Sequence, residues 1–200
     1  MRFFTSDTHF GHKNVIAYCK RPFKDLDDMH DCLVRRWNQV VTSDDDEIYI
    51  LGDFAFGGKK FIAEILSKLR GKKILVRGNH DWKNVPITRT DLGFEKILDG
   101  TQQLFLGSTP VLIGHFPYRA AQPTDLRYEE LKPENKGRWL LHGHVHCAWC
   151  LKDKMLNVGV DAWNYCPISE KVVTTVIRHV ELFGPKAFPI DPKLRLHSPG

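Results

Sequence analysis

Three histidines at alternate positions follow an apolar pair in the stretch LLHGHVHC, residues 140–147. They are His142, His144 and His146. Alternate residues of an extended strand point to the same face, so the spacing predicts that the three imidazoles share one side. Imidazole is the commonest metal ligand in proteins, because its neutral ring offers one nitrogen to a cation. The alternative is that these are half-buried polar residues at a sheet edge.

Four further segments of the chain place carboxylates, imidazoles or amides directly after an apolar run. Glycine accompanies most of them, and it allows the backbone to turn sharply. The candidate residues in these segments are Asp7, His9, Asp53, Asn79, His80, Asp81 and His115. Any single one could be a cap or a hydrogen-bonded buried side chain. Five such segments in one chain favour a shared cation, because unpaired buried charges are costly and a bound metal removes that cost.

The elements that must position these residues alternate in type along the first eighty positions. Strands are predicted at 2–6, 48–51 and 73–77, and helices at 25–41 and 59–71. The helical segments carry apolar residues at a spacing of three and four, whereas the strands are short apolar runs. This alternation predicts a parallel sheet covered by helices. Functional residues of such sheets gather at the carboxyl ends of the strands, which is where the polar segments fall.

The second half of the chain has a different organisation. Strands are predicted at 102–115, as a hairpin, at 138–146 and at 155–161. A helix is predicted at 168–180, with Ser169 as its N-cap. The polar, proline-containing stretch 119–137 is expected to be an excursion on the surface. We therefore predict one domain over residues 1–182 and a proline-rich tail over 183–200.

Composition limits the class of protein. Of 200 residues, 42% are apolar and 26% are charged, which is typical of a globular domain. No apolar run approaches the length of a membrane helix, and the N-terminus lacks the apolar core of a signal peptide, so we expect a cytoplasmic protein with no membrane partner. The net charge of +5 favours anionic substrates, but it does not separate nucleic acid from a small phosphate.

Cysteine usage agrees with a reducing compartment. The five cysteines are odd in number and irregularly spaced, which favours free thiols. The CAWC stretch at 147–150 could belong to a zinc knuckle or a redox pair. It lacks a second CxxC and a thioredoxin-like context, so we prefer the free-thiol interpretation.

The ordered set SDTH, GD, GNHD, GH and GHVH resembles the calcineurin-like metallophosphoesterases, over residues 3–161. The resemblance implies an α/β fold, a four-layer α/β/β/α sandwich with two metal ions at the strand ends. For the first metal it implies the ligands Asp7, His9, Asp53 and His146. For the second it implies the ligands Asp53, Asn79, His115 and His144. Asp53 would bridge the two ions, and His142 would have a supporting or structural role.

The resemblance also implies a cofactor and a mechanism. Oxygen and imidazole ligands suit Mn²⁺, Fe, Zn²⁺ or Ni²⁺ better than Ca²⁺, and the family habit favours Mn²⁺. Two such cations about 3.5–4 Å apart would activate a water for in-line attack on phosphorus. His80 is the matched candidate to protonate the leaving oxygen or to stabilise the transition state. Asp81 is predicted to orient His80.

One departure from the family pattern concerns the residues that would hold the phosphate. Many relatives carry an acid or an arginine shortly after the GD block, whereas this chain has GDFAFGG. We therefore name His12 and Arg119 as candidate substrate contacts, with purely structural roles as the alternative. Asp161 is a candidate partner for a ligand histidine, since such histidines usually donate their other N–H to an oxygen.

The resulting functional hypothesis is a metal-dependent phosphoester hydrolase acting on a small phosphoester or nucleotide. Within that class we favour phosphodiesters, because small members without a large cap resemble bacterial or phage phosphodiesterases. The alternative is a phosphomonoesterase acting on nucleotides or phosphoproteins. A nuclease is permitted by the charge, but no basic stripe with interleaved aromatics supports nucleic acid as a partner. A non-catalytic scaffold would usually show a broken ligand set, and this set is intact.

Overall fold

The computed structural model describes residues 1–85, 90–119 and 127–185. Within these residues, the first sheet contains the strands β1 (Arg2–Thr5), β2 (Glu47–Ile50), β3 (Lys72–Val76), β4 (Lys96–Leu98) and β10 (Ile168–Ser169). Their order in the sheet is β10-β1-β2-β3-β4. Strands β1 to β4 are parallel, and β10 pairs antiparallel with β1.

Over the same described ranges, the second sheet contains the strands β5 (Gln102–Leu106), β6 (Thr109–Ile113), β7 (Trp139–His142), β8 (Leu151–Lys152) and β9 (Met155–Asn157). Their order in the sheet is β5-β6-β7-β9-β8. The central strands are parallel, because β6 pairs parallel with β7 and β7 pairs parallel with β9. The outer pairs β5–β6 and β8–β9 are antiparallel.

Helices connect and flank the two sheets. They are α1 (Lys13–Tyr18), α2 (Leu26–Val40), α3 (Lys59–Lys68), α4 (Asp81–Asn84) and α5 (Glu170–Phe183), with single 3₁₀ turns at Thr90–Leu92 and Glu129–Leu131. Two helices begin at a side-chain cap, as their sequences favour. Asp25 accepts a hydrogen bond from the Asp28 amide at the start of α2, and Ser169 accepts one from the Val172 amide at the start of α5.

The parallel strands of the first sheet begin with a charged residue, such as Arg2, Glu47 or Lys72, and continue mostly as apolar runs, because both faces of the sheet are buried there. Alternate residues such as Phe3 and Leu75 pack against α2 and α3, where Trp37 and Ile62 are buried. Their neighbours, such as Phe4, face the second sheet. The strict alternation of strand side chains therefore divides one apolar run between two cores.

The second sheet shares its inner face with the first. Val111, Leu141 and Leu156 pack in the cluster between the sheets, and α5 adds Val176 and Val180 to the same cluster. The outward-facing residues of the second sheet form a smaller cluster, with Leu112, Tyr118, Leu140 and Met155 as its buried members and Trp149 packed against it. The predicted α/β class, with two sheets flanked by helices, is confirmed.

Several elements differ from the sequence prediction. Helix α3 ends at Lys68, not at Gly71, and the positive φ of Gly71 leads the chain into β3. Strand β7 ends at His142, four residues earlier than predicted. The short helix α1 and the edge strands β4, β8 and β10 were not predicted, because each is too short to establish a periodicity.

Two predicted segments fall partly outside the described residues. These are positions 120–126 of the stretch 119–137, and positions 186–200 of the predicted tail. Across the described ranges, no helix combines the length and the apolar character that a membrane span requires.

The inter-sheet core is expected to dominate stability. Leu141→Ala removes a fully buried side chain from the central strand β7, so the free energy of unfolding should fall by about 2–5 kcal/mol in urea denaturation. The control Leu182→Ala changes a leucine that is 63% exposed on α5, and it should shift that value by about 0.5 kcal/mol or less. Equal effects of the two substitutions would contradict this assignment of the core.

Candidate metal centre

The carboxyl ends of strands from both sheets meet at one edge of the sandwich. Asp7 follows β1, and its amide donates to the carbonyl of Gly52, which follows β2 (3.0 Å). On the second sheet, the amide of Gly143, after β7, donates to the carbonyl of His115, after β6 (3.0 Å). The Asp7 carboxylate joins the two sheets, because it accepts from the His144 amide at 3.0 and 3.1 Å. The polar segments predicted to share one edge therefore do so.

The backbone at this edge takes a conformation that is uncommon for residues with a side chain. Five candidate ligands have φ between 48° and 69°, in the left-handed region: Asp7, His9, Asp53, His144 and His146. Each such residue costs of order 1–3 kcal/mol and persists only where its surroundings impose it. Here the amides of Asp7 and His9 are held by carbonyls of the loop after β2. Clustering of this strain at one edge points to a functional site.

Two glycines are required by the close approach of these loops. A Cβ on Gly143 would collide with Ser6 Oγ and with a carboxylate oxygen of Asp7. A Cβ on Gly78 would collide with Asp53 Oδ1. The glycines of the GHVH and GNHD blocks therefore leave the space that the carboxylates occupy.

Asp53 lies at the centre of the site. Its Oδ2 is 3.5 Å from His115 Nε2, 3.6 Å from His9 Nε2 and 3.9 Å from His80 Nε2. Its Oδ1 accepts from the His80 amide at 3.0 Å. Burial alone would raise the pKa of this carboxyl group, but the imidazoles, His115 foremost, outweigh burial and lower it below its usual range.

Asp7 is the second buried carboxylate of the site. Its Oδ1 is 4.0 Å from His146 Nε2, and burial raises the pKa of Asp7. Ligand atoms of Asp7, His9 and His146 lie within 4.8 Å of one another, and so do those of Asp7, Asp53 and His115. The structure thus forms two adjacent His/Asp clusters that share Asp7 and are linked by Asp53.

The donor atoms fit a pair of cations better than a hydrogen-bond network. His9 Nε2 is buried and has no hydrogen-bond partner, although it lies 3.6 Å from Asp53 Oδ2. Two ligands of one cation, each about 2.1 Å from it, lie roughly 3–3.5 Å apart, which is close to the separations found here. Mixed carboxylate and imidazole donors suit borderline transition metals.

His115 faces the site with its lone pair available. Its Nδ1 is 2.8 Å from the Leu51 carbonyl, which can only accept, so Nδ1 carries a proton. Its Nε2 faces Asn79 Oδ1 at 3.0 Å and Asp53 Oδ2 at 3.5 Å. Burial lowers the pKa of His115, but the Asp53 carboxylate outweighs it and raises the value to about 9.

A buried ion pair between Arg21 and Asp161 orients the His146 ring through its Nδ1 atom. His146 Nδ1 lies 3.1 Å from Asp161 Oδ2, and Asp161 receives two hydrogen bonds from Arg21 at 2.8 and 2.9 Å. The Arg21 guanidinium also donates to the carbonyls of Asp7 at 2.7 Å and Thr8 at 3.0 Å. Arg21 therefore ties the loop after β1 to the partner of a candidate ligand. Arg21 was not predicted from the sequence, because no local pattern marks a buried arginine.

The contacts of Asp81 differ from those expected of a partner for His80. Asp81 is fully buried, and its carboxylate accepts from the amides of Asp53, Phe54 and Gly78 at 2.7, 3.0 and 2.8 Å. Burial, assisted by the nearby charge of Asp53, raises the pKa of Asp81 to about 7. These bonds join the loop after β2 to the loop after β3. The predicted orientation of His80 by Asp81 stays a prediction.

The mouth of the site is formed by stacked rings. His12 stacks on Phe56 with ring centroids 4.1 Å apart, and its Nδ1 is 3.1 Å from His9 Nδ1. The Phe56 ring also lies 4.7 Å from His80, whose side chain is 42% exposed. The apolar GDFAFGG stretch therefore places an aromatic ring beside the site. The sequence analysis named His12 but not Phe56.

Two predicted residues have partners outside the ligand cluster. Arg119 pairs with Glu129, and its amide donates to the Pro133 carbonyl. His142 is fully buried, packs against Trp149 at 4.7 Å, and has its pKa lowered to about 3 by burial.

The prediction that three histidines share one strand face is wrong. His142 is the last residue of β7, whereas His144 and His146 lie in the following loop with positive φ. The loop, and not strand alternation, directs these two imidazoles into the site. Gly143, directly after the strand, permits the close approach described above.

Comparison with known proteins shows similarity over most of the chain. A sequence model of the calcineurin-like phosphoesterase superfamily domain matches residues 3–164. The protein MJ1445 of Methanocaldococcus jannaschii is 31% identical over 181 residues, which cover 86% of this chain and 88% of that protein. The gene 66 protein of Mycobacterium phage L5 is 31% identical over 199 residues, covering 88% and 94%.

A solved structure supports the same relationship. The crystal structure of the protein AQ665 from Aquifex aeolicus matches with a TM-score of 0.68 and 27% identity, covering 88% of this chain and 98% of that one. The family match includes every candidate ligand and the two His/Asp clusters. The chain belongs to the calcineurin-like phosphoesterase superfamily.

Proposed function

We propose that this protein is a metal-dependent phosphodiesterase that acts on small or nucleotide phosphodiesters. The observation that carries the proposal is the environment of Asp53, whose Oδ2 faces three imidazole nitrogens at 3.5–3.9 Å. A second buried carboxylate, Asp7, faces His146 on the adjacent side. Membership of the superfamily implies a phosphoester substrate.

The donor sets support two neighbouring cation sites with Asp53 between them. For the first we propose Asp7, His9, Asp53 and His146, and for the second Asp53, Asn79, His115 and His144. Mn²⁺ is the proposed metal, with Fe, Zn²⁺ and Ni²⁺ as alternatives that suit the same donors. When bound, the two cations would supply an activated water and neutralise charge on the phosphate oxygens.

The chain's own residues hold these donors and complete the chemistry. The Leu51 carbonyl fixes the proton of His115 on Nδ1, and Asp161 plays the same part for His146, so each presents Nε2 to the site. His80 is exposed and lies on the open side, with Nε2 3.9 Å from Asp53 Oδ2. We assign His80 the role of holding a proton for the leaving oxygen.

The charges around the site favour a diester over a monoester. A phosphodiester carries one negative charge, whereas a monoester carries nearly two at neutral pH. Arg21 is buried and paired with Asp161, and Arg119 is paired with Glu129. Neither guanidinium is therefore directed at the second charge of a monoester. The rings of His12 and Phe56 border the site instead.

Substrate preference tests this function directly. With Mn²⁺, kcat/KM for bis-p-nitrophenyl phosphate should exceed that for p-nitrophenyl phosphate by about 10-fold or more. Asp53→Asn should lower the diesterase rate by about 10³-fold, because it removes the charge that the two proposed cation sites would share. The control Asp45→Asn changes an exposed acid far from the site and should leave the rate unchanged. A preference for the monoester would make the protein a phosphomonoesterase.

The role of His80 should depend on the leaving group. His80→Asn should reduce kcat about 10²-fold for a diester that releases an alkyl alcohol, which needs a proton as it departs. The loss should be much smaller for release of p-nitrophenol, which leaves as a stable anion. Rates of both substrates are measured with native and variant protein. Equal losses for the two leaving groups would assign His80 a role other than proton donation.

Metal affinity should depend on the ion pair behind His146. Asp161→Asn weakens the partner that orients this imidazole, so Mn²⁺ should bind about 10–100-fold more weakly in calorimetric titration. The control Asp153→Asn lies in the turn between β8 and β9 and should bind as the native protein does. An unchanged affinity in Asp161→Asn, with the fold intact by circular dichroism, would show that this contact is not needed for the metal.

A further inference from the structure

A cavity of about 340 Å³ lies beside the candidate metal centre. It opens at the same edge of the sandwich, because Arg77 and Asp99, which follow β3 and β4, both line it. His115 also lines it, and His115 Nε2 is 3.5 Å from Asp53 Oδ2. Only the His115 side chain would therefore lie between a group bound in this cavity and Asp53.

The walls of the cavity are aromatic and aliphatic. Trp82, Phe116 and Leu131 line it. The Phe116 ring lies 4.9 Å from both His115 and His144, so this wall of the cavity packs directly against two candidate ligands. Tyr128 backs this wall, with its ring 5.4 Å from Phe116.

Trp82 is the most accessible of these wall residues. It lies on α4, two positions after His80, and it is 38% exposed. Its ring makes an edge contact with Tyr128 at 6.4 Å, which leaves the indole at the rim of the cavity. An exposed indole at the rim of a cavity offers a planar surface on which another ring can stack.

Polar residues also line the cavity. Arg77 forms a bidentate pair with Asp99, with N–O distances of 2.7 and 2.6 Å. Asp99 keeps 46% of its side chain exposed, so its carboxylate can accept a further hydrogen bond. Thr101 also lines the cavity. Largely apolar walls with a few polar groups are typical of binding sites for small ligands.

We propose that this cavity binds the nucleobase of a nucleotide phosphodiester, and that Trp82 determines the preference for such substrates. The proposal rests on the proposed phosphodiesterase function and adds a subsite to it. The base would stack on the indole while its hydrogen-bonding edge faces Asp99 and Thr101. Its phosphate would reach the Asp53 side of His115. Stacking of this kind typically changes binding by about 10-fold or more when the aromatic residue is removed.

The test compares two diesters that share one leaving group. These are thymidine 5′-(p-nitrophenyl phosphate) and methyl p-nitrophenyl phosphate, assayed with the Mn²⁺-loaded full chain. In the native protein, kcat/KM should favour the nucleotide ester by about 10-fold or more. In Trp82→Ala that ratio should fall to nearly one, mainly through KM, and Trp82→Phe should restore most of it. The control Phe105→Ala, an exposed aromatic on β5, should keep the native ratio.

The other outcomes separate the subsite from the reaction. If both esters are hydrolysed but the native ratio is near one, or if Trp82→Ala keeps it, the subsite is overturned while the phosphodiesterase stands. A parallel loss on both esters would place the p-nitrophenyl group in the cavity, which also overturns the proposal.

If neither ester is hydrolysed, the phosphodiesterase proposal fails. Calorimetric titration with thymidine 5′-monophosphate then tests whether the cavity binds a nucleobase, independently of any hydrolysis. Binding that Trp82→Ala weakens about 10-fold or more would support the subsite. Absent or equal binding would overturn it.

Discussion

The buried negative charge of Asp53 is the constraint on which the rest of the site depends. A carboxylate that is 2% exposed cannot stay ionised without compensation, and the chain surrounds it with imidazoles from three separate loops. The loops that supply these groups follow strands in both sheets. The charge of Asp53 is therefore compensated only where the loops of the two sheets meet.

Two buried side chains behind the candidate ligands hold these loops together. Asp81 binds three amides and joins two loops, and Arg21 ties the Asp7 loop to Asp161. These bonds help to hold five candidate ligands in the strained left-handed region. The aromatic rings of Phe56 and Phe116 then border the site on two sides. These contacts hold the donor atoms in place before a cation binds, which lowers the free-energy cost of ordering them on binding.

The sequence was informative where local pattern and burial coincide. Short apolar runs ending in Gly-Asp or Gly-Asn predicted the edge of the sheet at which Asp53 and Asn79 lie, because parallel strands place their carboxyl ends together. Arg21 could not be predicted, since its partner Asp161 is 140 positions away. The alternation of His142, His144 and His146 suggested an extended strand, but Gly143 ends it, and only the contacts across the sheets direct the last two.

We propose that Asp53 lies between two cations. The most direct measurement is anomalous diffraction from a crystal soaked in Mn²⁺, recorded near the manganese edge. Two peaks about 3.5–4 Å apart are expected, with the Asp53 carboxylate bound to both ions. A single peak, or peaks that do not involve Asp53, would contradict it.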